Sequence, residues 1–145
     1  MLSRWRGLVV VVMVVGLAGC WSGESSSPSS PSVASSPVGP TWTLTSLDGQ
    51  PVVAGTTITA EFTSESRVAG SSGCNRYTGR AQADSGRLSV GPLASTLMAC
   101  ERDGVMAQEA RYLTLLQAAT RYTIAGGELR LGSSATETAL VYSSR

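Results

Sequence analysis

Gly70-Ser71-Ser72-Gly73-Cys74-Asn75-Arg76-Tyr77-Thr78-Gly79 is the stretch on which the reading of this chain turns. Three glycines in ten residues mark a place where the backbone turns or two strands cross closely, because a turn or bulge there needs a positive φ or no side chain at all. Asn75 can cap such a turned backbone with its side-chain amide. The flanking residues predict strands over 67–70 and 75–83.

The same pattern continues outward from this bend. Trp42-Thr43-Leu44-Thr45-Ser46-Leu47 alternates with period two and stops at the turn signal Asp48-Gly49. Short runs rich in Thr, Val, Ile and Tyr predict further strands near 57–62, 87–90, 120–125, 128–131 and 139–142, with Gly126-Gly127 as a tight hairpin. One segment has helical periodicity. After Asp103, a reasonable N-cap, Met106, Ala110, Leu113 and Gln117 share a face, with Val105, Glu109, Tyr112 and Leu116 beside it. A single amphipathic helix among strands packs on a sheet or plugs a barrel mouth. The expected fold class is therefore α+β, a mostly antiparallel sheet curled into a partly open barrel with one helix. The chain length of 145 residues leaves room for one such domain, over residues 41–145.

The N-terminal part reads as an address and a tether. Arg4 and Arg6 precede an apolar run over residues 8–17, and Ala18-Gly19-Cys20 follows, in the order of a signal peptide covering residues 1–19. The run stops short of the roughly 20 apolar residues that a membrane span needs. Leu17-Ala18-Gly19-Cys20 resembles the bacterial lipobox, which implies diacylglycerol on the Cys20 thiol, palmitate among the acyl chains, and a mature protein that begins there. Residues 21–40 hold nine Ser and four Pro with few large apolar residues, which predicts a disordered tether. A coil of that length reaches roughly 25 Å. The expected location is outside the cytoplasm, anchored to the cell membrane through acylated Cys20.

Composition excludes most common chemistry. The chain has no His, and its 11 basic residues are all Arg, so His-activated nucleophiles, His-ligated zinc and Lys-based phosphate or Schiff-base sites are absent. Charged residues make up 14% of the chain and the formal charge is +1, which leaves no electrostatic footprint for nucleic acid. No cofactor and no metal is expected. With Cys20 assigned to lipid, Cys74 and Cys100 remain as an even pair in an exported domain, the usual signature of a disulfide. Two Cys without His do not make a zinc site, and their wide spacing does not suit a redox pair.

The stretch quoted at the outset, followed by Thr96-Leu97-Met98-Ala99-Cys100, resembles the paired signatures of the META domain, the family that includes the HslJ-like heat-shock lipoproteins. The resemblance extends through Trp42-Thr43-Leu44, Gly49, Glu109, Tyr112, Leu116 and residues 122–131. It implies a compact sheet-plus-helix fold like a cracked barrel, an association with stress response, and no established catalytic residues. Gly70, Gly73, Asn75, Gly79, Thr96 and Met98 are then structural motif positions, with Met98 as core filler.

Three functional classes remain open at this point. The first is a cell-envelope binding or assembly module that meets another envelope protein through an exposed apolar patch. The second is a carrier of a lipid or small apolar ligand in a barrel cavity, lined by Trp42, Phe62, Leu113, Leu116 and Tyr122. The third is an enzyme, with only carboxylates such as Glu61, Glu65, Asp84, Glu101, Asp103 and Glu109 as acid or base. The expectation is the first, a non-enzymatic module. Glu109, beside the buried helix stripe, is expected to pair with Arg76 or Arg111.

Overall fold

Period-two alternation becomes one continuous antiparallel sheet that curls until its ends meet. The computed structural model describes residues 36–144; the signal segment, Cys20 and the tether as far as residue 35 lie outside the described residues. The strands are β1 (Thr41–Leu47), β2 (Gln50–Pro51), β3 (Thr59–Thr63), β4 (Arg67–Ser71), β5 (Arg76–Asp84) and β6 (Arg87–Ser95). The helix α1 (Val105–Ala118) follows, then β7 (Arg121–Ala125), β8 (Glu128–Gly132) and β9 (Leu140–Ser144). Neighbours pair in the order β2-β1-β3-β4-β5-β6-β7-β8-β9, and β1 also pairs with β9. Eight strands thus close an antiparallel barrel, while β2 only extends the edge of β1 through Leu47 and Gln50. The expected α+β barrel is the fold of the protein.

The barrel is weakest between β6 and β7. A single register pair, Arg87 with Arg121, joins these strands, helped by Leu88 N–H to Thr120 O at 3.0 Å and Tyr122 N–H to Gly86 O at 2.9 Å. The chain leaves β6 at Ser95, the far end from that pair, to form α1 before it returns as β7. The β6–β7 seam is where the barrel is cracked; α1 packs against β6 and β9 and adds its apolar side chains to the common core.

Alternation puts Trp42, Leu44, Phe62, Val68, Tyr77, Leu129, Leu131 and Tyr142 inside, where Tyr112, Leu115 and Leu116 of α1 join them in one core. Each large side chain so buried stabilises the fold by about 1.5–3 kcal/mol. The buried stripe of α1 is Val105, Glu109, Tyr112, Leu115 and Leu116, whereas Met106, Ala110 and Gln117 are exposed. The helix is therefore rotated from the face that its apolar residues alone suggest. Its N-cap is Gly104, with φ 78° and no side-chain cap bond, so Asp103 does not cap it. Gln108 instead fixes the first turn. Its amide oxygen accepts from Val53 N–H at 2.6 Å and its Nε2 donates to Thr56 Oγ1 at 3.1 Å.

Two boundaries differ from the sequence expectation. The ordered fold starts before Thr41: Pro37 is buried, and its carbonyl accepts the indole N–H of Trp42 at 2.8 Å. A buried Trp needs that acceptor, so residues 37–40 belong to the domain. Strand β6 runs on to Ser95 through Gly91-Pro92, where the β5–β6 register shifts between Gly79 and Ala81. An irregular ladder of this kind accommodates a proline that has no N–H to give.

Candidate functional site

The bend between β4 and β5 and the loop from β6 to α1 are knotted together by one carboxylate. Glu109 is 6% exposed, on the inward stripe of α1. Its Oε2 accepts from Ser72 Oγ at 2.6 Å and from Asn75 N–H at 2.8 Å, and its Oε1 accepts from Asn75 Nδ2 at 2.7 Å. Burial alone would raise its pKa. The Ser72 hydroxyl, both donors of Asn75 and the backbone N–H of Cys74 outweigh burial, so the carboxyl is held below its ordinary range and is ionised. Neither Arg76 nor Arg111 pairs with it; Arg111 binds Asp48 at 2.6 Å. The expected ion pair is thus replaced by neutral donors, which can satisfy a buried carboxylate without a second buried charge.

Asn75 passes this order on to the loop. Its Oδ1 accepts from Thr96 Oγ1 and from Met98 N–H, both at 2.7 Å, and its Nδ2 also donates to Met98 O at 3.0 Å. All the side-chain amide's capacity is filled, two donors and two acceptor positions. The Cys74–Cys100 disulfide, with Cα atoms 6.1 Å apart, closes the other end of the loop. Gly70 lets the bend approach β3, because a Cβ there would run into the carbonyl of Thr59. Gly79 gives the same clearance against Leu93 and Pro92, while Gly73 has φ 109°. The sequence motif is therefore a clamp, in which the pairing of Ser72 and Asn75 with Glu109 is what the sequence by itself does not reveal.

A second polar unit lies inside the barrel. Tyr77 OH donates to Thr59 O at 2.9 Å, which leaves Tyr112 OH to donate to Tyr77 at 2.7 Å and Tyr142 OH to donate to Tyr112 at 3.2 Å. Burial pushes all three hydroxyls above their ordinary range, and they stay neutral. Tyr112 stands one turn after Glu109 on the same stripe, a spacing visible in the sequence once the helix phase is known.

What the clamp holds out to solvent is apolar. Leu97 is 97% exposed and Met98 58%, and across from them Met106 of α1 is 41% exposed. With Ala99, Ala110 and half-buried Leu113 they form an open, mainly apolar groove of about 410 Å³. Met98 thus does not fill the core; its backbone grips Asn75 while its side chain faces outward. Of the residues expected to line a ligand cavity, Trp42, Phe62, Leu116 and Tyr122 pack into the core, and Leu113 alone lines this groove. Glu61, Glu65, Asp84, Glu101 and Asp103 are all on the surface.

An antiparallel barrel with one helix packed against β6 and β9, and a Gly-Cys-Asn bend clamped to a Cys-terminated loop, defines the class of protein. The META domain family model matches residues 36–145, and the chain belongs to that family. The NMR structure of a protein from Burkholderia xenovorans is similar, with 27% identity, a TM-score of 0.58, and coverage of 82% of this chain and 97% of that one. A second NMR structure shares the fold at 24% identity and a TM-score of 0.58, over 72% of this chain and 87% of that one. No curated protein matches the chain.

Proposed function

We propose that this protein is a lipid-anchored, extracytoplasmic module that docks another cell-envelope protein and is not an enzyme. The observation that carries this reading is the apolar groove of Leu97, Met98, Met106 and Leu113, held open by a rigid clamp. An exposed apolar surface is unfavourable in water unless a partner covers it. Ordering the loop in advance, through Asn75 and the disulfide, removes much of the entropic cost that binding otherwise bears. Glu109, the one buried carboxylate among the described residues, is saturated with structural donors, which suits a scaffold better than an acid or base. Cys20, in its lipobox context, supplies the anchor and residues 21–36 the reach.

The test is site-specific photocross-linking in intact cells, with the photoreactive residue at Leu97 or Met106 and a control at Thr123, an exposed residue of β7. The docking reading expects a discrete protein adduct from the two groove positions, lost when the exposed Met98 is changed to Asp with the melting temperature kept. Adducts of equal yield at Thr123 would count against it. Adducts to lipid alone would move the reading to an apolar-ligand carrier.

A further inference from the structure

A different face of the barrel carries charge without partners. Arg67 on β4 and Arg80 on β5 are directly opposite each other in the ladder, and both point outward, since Val68 and Ala81 next to them are buried. Like charges in that position repel and destabilise a sheet. Arg76 lies on the same outer face of β5, four residues from Arg80, or about 13 Å along the strand. None of the three has an ion-pair partner among the described residues, where the ion pairs are Arg111 with Asp48 and Arg130 with Glu128. Arg67 is steadied by a neutral group, with its Nη2 donating to Thr78 Oγ1 at 3.0 Å.

The surface around them is recessed. Two adjoining depressions, of about 550 and 450 Å³, share Thr78 and Ala94 as floor. Arg67 and Arg80 border the first and Arg76 the second. Thr78, Ala94, Ala69 and Gly79 are too short to cover the backbone between the arginines, so the guanidinium groups stand as the walls. Glu65 also lines the first depression, but forms no ion pair with either arginine.

We propose that this arginine face is a second membrane contact, which seats on the anionic phospholipid surface to which Cys20 tethers the domain. It rests on the anchoring proposed above. Guanidinium groups bind phosphate oxygens in a paired, planar geometry, and the repulsion between Arg67 and Arg80 is relieved when a phosphate lies between them. Contact through the arginine face selects one orientation of the domain at the membrane. Acyl chains and a basic patch together are a stable two-signal anchor.

The experiment uses the full chain, reconstituted into vesicles of phosphatidylcholine or into vesicles that also contain phosphatidylglycerol. Modification by an arginine-selective dicarbonyl is followed site by site by mass spectrometry. In anionic vesicles Arg67, Arg76 and Arg80 should react about five-fold more slowly, the factor that corresponds to the ~1 kcal/mol attraction of a basic residue to an anionic surface. Arg102, hydrogen-bonded to the Ala54 carbonyl, and Arg130, ion-paired with Glu128, should react at unchanged rates. High salt should abolish the difference. Equal rates in the two vesicle types, or slowing of all five arginines alike, overturns the proposal. Equal protection by inorganic phosphate added to phosphatidylcholine vesicles also overturns it, in favour of a soluble oxyanion. Failure of the chain to float with phosphatidylcholine vesicles refutes the Cys20 anchor instead, and the arginine comparison can still be read on anionic vesicles.

Discussion

Replacing Glu109 by Gln keeps the shape of the clamp and removes its charge, which makes it the most informative change in the molecule. The carboxylate offers acceptors only, and Ser72 Oγ, Asn75 N–H and Asn75 Nδ2 all donate to it within 2.8 Å. A Gln side chain must turn its NH₂ toward some of these donors, so about two charge-assisted bonds are lost, each contributing roughly 1.5–3 kcal/mol. A loss of about 4 kcal/mol is expected, which for a domain of this size lowers Tm by about 17 °C at ~2.1 cal/mol/K per residue. The acid limb should change as well. Because the folded pKa of Glu109 lies below the ordinary value of 4.5, its contribution is complete above that pH and fades as pH falls through the folded pKa. Urea melts of wild type and E109Q between neutral pH and pH 2 measure both effects, and the wild type should lose more stability in acid than the variant. A variant within 1 kcal/mol of wild type, with an unchanged acid slope, would falsify the clamp.

Further outcomes follow from other contacts. Cys74→Ser opens a loop with a sequence separation of 26 residues and should reduce stability by about 3–4 kcal/mol; an oxidised wild type and the variant melting at one temperature would show that the bond contributes nothing. Gly70→Ala drives a Cβ into the Thr59 carbonyl and should cost about 1–3 kcal/mol in urea midpoint measurements, whereas Gly49→Ala, at a turn with φ 78° and open space around the new Cβ, tests conformation alone. In an alkaline titration followed by tyrosinate absorbance, Tyr77, Tyr112 and Tyr142 should ionise only as the chain unfolds. Their raised pKa values stabilise the fold below pH 10, and that contribution is lost as pH rises above it. Smooth ionisation of these three tyrosines in a chain that is still folded would contradict their burial.

Most strands were legible in the sequence because alternation is a local signal, and the barrel places Trp42, Phe62 and Leu131 inward as that alternation requires. The helix was legible in position but not in phase. Met106, Ala110 and Leu113 outweigh Glu109 on any apolar count, and only the distant donors Ser72 and Asn75 make it favourable to bury the acid and expose the methionine. Similarly, residues 37–40 read as tether until the Trp42 indole is seen to need the Pro37 carbonyl. The second half of β6 was hidden by Gly91-Pro92, a breaker in most settings. For the site, the residues of the bend and the cysteine pair were identifiable, but their common partner and the groove they support depend on contacts across 23 to 37 residues, which no local pattern contains.

The closing ladder has a consequence for the order in which the chain can fold. Thr45 of β1 donates its hydroxyl to Val141 of β9 across 96 residues, and both strands lie at the extremes of the domain. A chain delivered N-terminus first, from ribosome or translocase, holds β1 with one edge unpaired until the last strand arrives. Closure is then a late step, slowed by the length of loop it must gather. Truncation within Leu140–Ser144 leaves that edge permanently open, and an open edge is a template for pairing with another chain.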